Sequence, residues 1–217
     1  MISHPLKAIY FHIGKAAGTS VEKLLDNKKR DHKVADYDDF YGYDRDHNIY
    51  LQHASAAFMR DNVDRNIFDN YYKFSVVRNP YERLVSVYHY LIDQHTKEFG
   101  SFEGYINTLP NLVSQSNLLK GSHHIAQSCY THIEGQQICD YIAHFENLPN
   151  SLNPVTSKLN LKTELGKHNV GRFYNWQVKP VPSYYTKEMI NIVIELFKAD
   201  FESYGYSLDP NVRHSEQ

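Results

Sequence analysis

IYFHIGKAAGTSVEKLL, Ile9 to Leu25, runs from apolar and aromatic residues into a Gly-Lys turn and on into an amphipathic segment. Residues 7–13, KAIYFHI, read as a buried strand. A helix is expected from Thr19 or Ser20 to about Lys29, with Val21, Leu24 and Leu25 as its apolar stripe. Such a strand–turn–helix unit points backbone N–H groups and the positive end of the helix dipole at the turn, which favours an anion. Gly18 omits the Cβ that would hold a phosphate away, Thr19 and Ser20 add hydroxyls, and Lys15 adds a mobile positive charge. A triphosphate loop carries its lysine directly after the second glycine. Here Lys15 follows Gly14, and Gly18 is followed by Thr19. No acidic strand of the Mg²⁺-holding kind is apparent either, so the pattern disfavours a kinase or NTPase.

Working outward, YYKFSVV, Tyr71 to Val77, is a second strand candidate, and its helix follows at once. Asn79 can cap, Pro80 suits the first helical position, and Glu82 completes a capping pattern. Leu84, Val87, Tyr88 and Leu91 then recur at helical spacing. Between the two units, residues 31–48 read as a polar loop, NIYLQ as a short strand and ASAAFMRDNV as a helix. Residues 93–125 read as mixed, with several polar loops. SCYTHIEGQQICDYIAHFENL predicts a hairpin turning at Glu134-Gly135, then a strand ending in HFENL. Residues 150–183 are polar and broken by Pro154, Pro180 and Pro182. The last helix is expected over KEMINIVIELFKADFESYG, burying Ile190, Val193, Ile194, Phe197 and Phe201, with Gly205 just past its end. Strand followed by helix, twice, with long crossovers, predicts an α/β domain with a parallel sheet.

The 217 residues suit one domain, or one with a sizeable insertion, and a 41% hydrophobic share can build its core. With 23 basic and 25 acidic residues the formal charge is −2, which argues against a protein that coats nucleic acid. Cys129 and Cys139 form no CxxC pair; two free thiols are expected, with a bridge as the alternative if they face each other across the hairpin. MISHPLKAIYF lacks the long apolar stretch of a signal peptide, and the chain has no run of about 18 apolar residues, so a soluble, cytoplasmic protein is expected.

FHIGKAAGTS resembles the 5′-phosphosulfate loop of the sulfotransferases, especially the membrane-type carbohydrate sulfotransferases (family 2-like), whose usual form is close to FVHIPKTAGTS. FSVVRNPYERLVSVYHYL, Phe74 to Leu91, is similar to the 3′-phosphate motif of the same family, and this match is long and specific. ICDYIAHFENL and SYYTKEMINIVIELFKADFESYGY resemble a later family segment and the closing helix. Two departures stand out: Gly14 where the family usually has Pro, and Ala16 where it often has Thr or Ser. The resemblance implies a sulfotransferase fold, with a P-loop-type parallel sheet flanked by helices, in a single domain over 1–217. It places acceptor-side loops and the hairpin in 93–183 and a flexible tail at 209–217.

The donor so implied is 3′-phosphoadenosine 5′-phosphosulfate (PAPS), leaving adenosine 3′,5′-bisphosphate, with no metal required. The acceptor so implied is a hydroxyl, with a carbohydrate expected, and no nucleic acid partner is expected. Ala17, Gly18, Thr19 and Ser20 would hold the 5′ end, and Lys15 would neutralise the bridging oxygen as the sulfuryl group leaves. Arg78 and Ser86 match the 3′-phosphate ligands, while Arg83 reads as a surface or structural charge. Arg172 is a candidate for the far side of the nucleotide, with Phe173, Tyr174 and Trp176 as its wall. His53 is the first candidate for the general base that an acceptor hydroxyl needs. His12 reads as a packed core histidine. Lys97, Lys120, His123 and His124 are candidates for the acceptor side, and Glu146 for a base, an orienting group or a structural hydrogen bond. The alternative is a sulfotransferase fold that binds nucleotide or glycan without catalysis.

Overall fold

Two buried stretches pair in parallel at the centre of a four-stranded sheet, and the helices that follow them pack on its faces. The computed structural model describes residues 1–25, 30–95, 99–116, 121–161 and 179–212, with backbone alone at 92–95. In chain order the elements are β1 (Ile2–Ser3), β2 (Ala8–Phe11), α1 (Gly18–Leu25), β3 (Tyr43–Asp44), β4 (Ile49–Tyr50), α2 (Ala56–Asn62), α3 (Arg65–Asn70) and β5 (Tyr72–Val77). There follow α4 (Pro80–His95), α5 (Phe102–Gln115), α6 (Ser128–Thr131), β6 (His132–Ile133), β7 (Gln136–Gln137), β8 (Tyr141–His144), α7 (Asn153–Lys158) and α8 (Lys187–Tyr204).

The sheet order is β1-β2-β5-β8. β2 pairs in parallel with β5, Ala8 opposite Tyr72 and Phe11 opposite Ser75, and β5 pairs in parallel with β8. The Ser75 hydroxyl donates to the Phe11 carbonyl at 2.7 Å, in full burial, and so pins that register. β2 is buried throughout and β5 from Lys73 on, as expected of central strands covered on both faces. Ile9, Phe11 and Val77 pack with Leu84 of α4, Ile106 of α5 and Val193 of α8. Tyr10, Phe74 and Val76 pack on the other face with Val21 and Leu24 of α1 and Val155 of α7. The three-layer α/β architecture is thus as expected for β2, β5 and β8, whereas β1 adds an antiparallel edge that the sequence reading did not anticipate.

Local signals account for the element boundaries. Asn79 Oδ1 accepts from the amides of Tyr81 (3.0 Å) and Glu82 (3.4 Å), opening α4 behind Pro80. Glu134 (φ 52°) and Gly135 (φ 79°) turn the β6–β7 hairpin with the left-handed pair that fits strand twist. Gly205 (φ 68°) ends α8 in a left-handed cap. On α8, Val193, Phe197 and Phe201 are buried as expected, and Ile190 and Ile194 sit half-buried at the edge of that face.

The chief correction falls within 93–125. Phe102–Gln115 is a helix, capped by Ser101 and burying Phe102, Tyr105, Ile106 and Leu109, although Gly104 and Pro110 lie inside it. Cys129 and Cys139 are free thiols. The expected end of the first helix at Lys29 and the last five residues of the tail lie outside the described residues. Among the described residues, no helix is long and apolar enough to cross a membrane.

Candidate functional site

The C-terminal ends of β2 and β5 lie side by side, so the loops that leave them face one another. In open α/β sheets this edge is where ligands bind. The first loop turns on residues that are not glycines. Lys15 (φ 68°) and Ala17 (φ 64°) both occupy the left-handed region. For side-chain-bearing residues that conformation is uncommon and strained. Alternation of left- and right-handed residues is also what curls successive N–H groups into an anion-binding concavity. The Ala17 carbonyl accepts from Ser20 N (2.9 Å) and Val21 N (3.2 Å), which starts α1.

Gly14 and Gly18 also make room for side chains. Neither has a positive φ. A methyl group on Gly18 would lie 1.6 Å from Nε2 of His12, and one on Gly14 would lie 2.9 Å from Cδ2 of His123. The glycines therefore admit imidazole rings against the loop. Gly14, a departure from the usual family proline, is matched by the ring of His123 packed over it.

Lys15 lays its ammonium 4.4 Å from the centre of the Tyr90 ring. Burial first, and Arg78 second, pull its pKa down to about 8. Arg78 crosses to the same loop: its Nη1 donates to the Lys15 carbonyl at 3.2 Å. Its guanidinium also meets Glu82 at 3.4 Å and lies 4.2 Å over Phe145. Arg78 Nε is buried, with no hydrogen-bond partner among the described residues. Glu82, Ser86 and Tyr90 are four apart on α4, so Ser86 lies on the helix face between the partner of Arg78 and the partner of Lys15.

Behind these side chains runs a buried polar network. Gln127 takes the Arg78 amide on Oε1 (2.9 Å) and gives Nε2 to the Arg78 carbonyl (2.8 Å), clamping the residue at both backbone groups. Asp200 of α8 accepts from Gln127 N (2.8 Å), Gln127 Nε2 (3.3 Å) and Ser128 N (2.9 Å). Arg83, expected at the surface or in a structural role, is fully buried. It donates to the carbonyls of His123 (3.3 Å) and Ile125 (2.8 Å), so its role is structural. Burial of three such groups is tolerated because each makes hydrogen bonds, although Nε of Arg83 has none among the described residues.

His53 stands beside the loop. Its Nδ1 lies 3.2 Å from the His12 carbonyl. A carbonyl only accepts, so Nδ1 carries the proton and Nε2 keeps the lone pair. Burial, with His12 and His123 adding to it, holds the pKa of His53 well below that of free histidine, so the ring is neutral. The cap of α2 is Ser55, whose side chain accepts from the Phe58 amide. The rings of His12 and His123 lie 4.2 Å and 5.7 Å from that of His53. His123 stacks on Tyr90 at 5.6 Å, and burial drives its pKa to about 3. His124 approaches the Tyr105 hydroxyl at 3.4 Å and is pulled to about 4, first by burial and then by Arg83. Glu146 accepts from the Asn79 amide (2.6 Å) and the Tyr206 hydroxyl (3.1 Å), bracing the start of α4.

Lys15, Ala17, Gly18, Thr19, Ser20, Arg78, Ser86, His53 and His123 thus gather at one edge of the sheet. Lys97, Lys120, Arg172, Phe173, Tyr174 and Trp176 lie outside the described residues. Sequence reasoning missed Glu22, Tyr90, Gln127 and Asp200. Tyr90 alone carried a signal, its helical spacing from Ser86. A surface depression lined by Asp69, Lys73, Asp140 and Lys158 lies at the other end of β5, remote from this site.

The model of the sulfotransferase family matches residues 1–207. No curated protein and no solved structure matches the chain.

Proposed function

Because this chain belongs to the sulfotransferase family, whose members transfer sulfuryl groups, we propose that it takes the group from PAPS and delivers it to a hydroxyl of a carbohydrate acceptor, within a single domain. The observation that carries the reading is the contact of Arg78 Nη1 with the Lys15 carbonyl, 3.2 Å apart. It joins the loop after β2 to the start of α4, which supports a single nucleotide reaching both. The residues also fit that donor on chemical grounds. Arg78 keeps a buried Nε donor without a partner, and the 15–17 loop holds the left-handed geometry of an anion nest.

PAPS, when bound, supplies an activated sulfuryl group on a phosphate leaving group. The amides of Ala17 to Thr19, the hydroxyls of Thr19 and Ser20 and the dipole of α1 would hold the 5′ end, the Ser20 amide being bonded to the Ala17 carbonyl. Lys15 offsets charge gathering on the bridging oxygen, in a site dry enough to strengthen that attraction. Arg78 and Ser86 grip the 3′-phosphate, the guanidinium by charge-assisted hydrogen bonds. His53 accepts the acceptor's proton on Nε2, since Nδ1 is committed to His12. His123 and His124 line the acceptor side. Transfer is direct and in line, with no covalent enzyme intermediate. A sulfuryl group carries less charge than a phosphoryl group, so one lysine serves where phosphoryl transfer uses metal clamps.

Incubation with ³⁵S-labelled PAPS and a panel of glycans tests this. Label should pass to at least one acceptor, and Lys15→Ala, Arg78→Ala and His53→Ala should each reduce transfer about 100-fold or more. Tight binding of adenosine 3′,5′-bisphosphate without transfer to any acceptor would refute the catalytic reading, leaving a nucleotide-binding protein. Wild-type rates in Lys15→Ala and Arg78→Ala would remove the mechanism.

A further inference from the structure

We propose that Glu22 is a positioning residue for His53, acting through the ring of His12, which it anchors as a spacer between the anion loop and the base. The proposal rests on the reading of His53 as base.

Three contacts carry it. Glu22 Oε1 lies 2.7 Å from His12 Nδ1, and both side chains are nearly buried. The carboxylate accepts, so Nδ1 of His12 donates and the ring is held by one edge. The opposite nitrogen, Nε2, presses on Gly18 at the start of α1, in the space a methyl group would need. The ring then meets that of His53 edge-on at 4.2 Å, while the carbonyl of the same residue fixes the His53 tautomer at 3.2 Å. His12 thus touches the donor loop on one side and the base on the other.

The anchor and the loop share an element. Glu22 is one helical turn beyond Gly18 on α1, so the helix that starts the anion site also carries the group that fixes the spacer. Burial pushes the Glu22 carboxyl up in pKa. His12, the Met1 amine and Arg30 outweigh it, leaving the group below the usual carboxylate range and ionised. In-line transfer requires the acceptor oxygen, sulfur and leaving oxygen to align, so the distance between base and loop has direct kinetic weight. A displacement of about 1 Å at such a centre is enough to cost about 100-fold in rate.

The test uses the full chain with Glu22→Gln, which keeps an oxygen acceptor for Nδ1, and Glu22→Leu, which removes it. ¹⁵N spectra of the imidazoles, assigned with His12→Ala and His53→Ala, report the tautomer of His53. Calorimetry with adenosine 3′,5′-bisphosphate reports the donor site. Turnover is read on the acceptor that the glycan panel returns. Wild type and Glu22→Gln should show a single Nδ1–H tautomer at His53. Glu22→Leu should show averaging of the two tautomers and a kcat lower by about 10- to 100-fold, with the nucleotide Kd retained. Should Glu22→Leu not fold, Glu22→Asp, a methylene too short to reach Nδ1, should give the same loss. An unchanged His53 spectrum in the folded variant, or a parallel fall in kcat and nucleotide affinity, would overturn the proposal. Full activity in His53→Ala would instead overturn the base assignment, and the tautomer readout would still decide the role of Glu22.

Discussion

Replacing Gln127 with methionine should loosen Arg78 without emptying the core. Methionine fills nearly the same volume but can neither accept from the Arg78 amide nor donate to the Arg78 carbonyl, contacts now 2.9 and 2.8 Å long. Asp200 also loses one of its donors, Gln127 Nε2 at 3.3 Å. Each buried polar group left unpaired costs about 1–3 kcal/mol. Relaxation of the Arg78 backbone relieves part of this, so the expected loss is about 3 kcal/mol in total. For a chain of this size, that lowers Tm by roughly 6–12 °C. Because Arg78 would no longer be held against the first loop, Kd for adenosine 3′,5′-bisphosphate should rise at least about tenfold, or about 1.4 kcal/mol. Urea denaturation gives the first quantity and calorimetry at saturating stability the second. A Gln127→Met protein within about 1 kcal/mol of wild type, and with unchanged nucleotide affinity, would show that the clamp does not hold Arg78 in place.

Other consequences are as direct. On the proposed mechanism Lys15, with its pKa pulled to about 8, acts in its protonated form, so kcat/KM should fall as pH rises through about 8. Its folded value lies below the reference 10.5, so the unfolded chain binds more protons between the two and this group adds stability as pH rises from about 8 to 10.5; a profile flat to that limit would contradict it. Gly18→Ala should destabilise by about 1–3 kcal/mol through the clash with His12. That cost should shrink in a His12→Ala background, and equal costs in both backgrounds would deny the contact. Tyr90→Leu should free the Lys15 ammonium, at about 0.5–2 kcal/mol, and move the alkaline limb of the rate profile, whereas Tyr90→Phe should not. Identical limbs in both variants would count against the cation–ring contact.

The parts of this molecule that were legible in its sequence are those with local causes. The β2 and β5 strands show as short apolar runs. The start of α4 shows in Asn79 and Pro80, the hairpin in Glu134-Gly135, and the end of α8 in Gly205. The candidate ligands of the two phosphate motifs followed from loop chemistry and resemblance together. α5 stayed hidden in a stretch read as mixed with polar loops: Gly104 and Pro110 lower its helix propensity, although Phe102, Tyr105, Ile106 and Leu109 keep helical spacing and their burial outweighs that cost. The clamp was invisible for another reason. Gln127, Asp200 and Arg83 look like ordinary surface residues until distant partners bury and satisfy them. Gly18 was read for the close approach of a phosphate; the left-handed turns fall on Lys15 and Ala17, and the loop glycines also make room for His123 and His12, which no local pattern announces.

The hydroxyl of Ser75, bonded to the last carbonyl of β2, makes the proposed donor site depend on how two strands slide past one another. A slip of one residue, about 3.3 Å, would part the Arg78 guanidinium from the Lys15 carbonyl and turn Phe74 and Val76 away from the helices they pack on. On the proposed function, such a protein would fail to retain nucleotide. Retention on immobilised adenosine 3′,5′-bisphosphate would then act as a gauge of strand alignment, separating correctly threaded molecules from miswoven ones in a Ser75→Ala preparation.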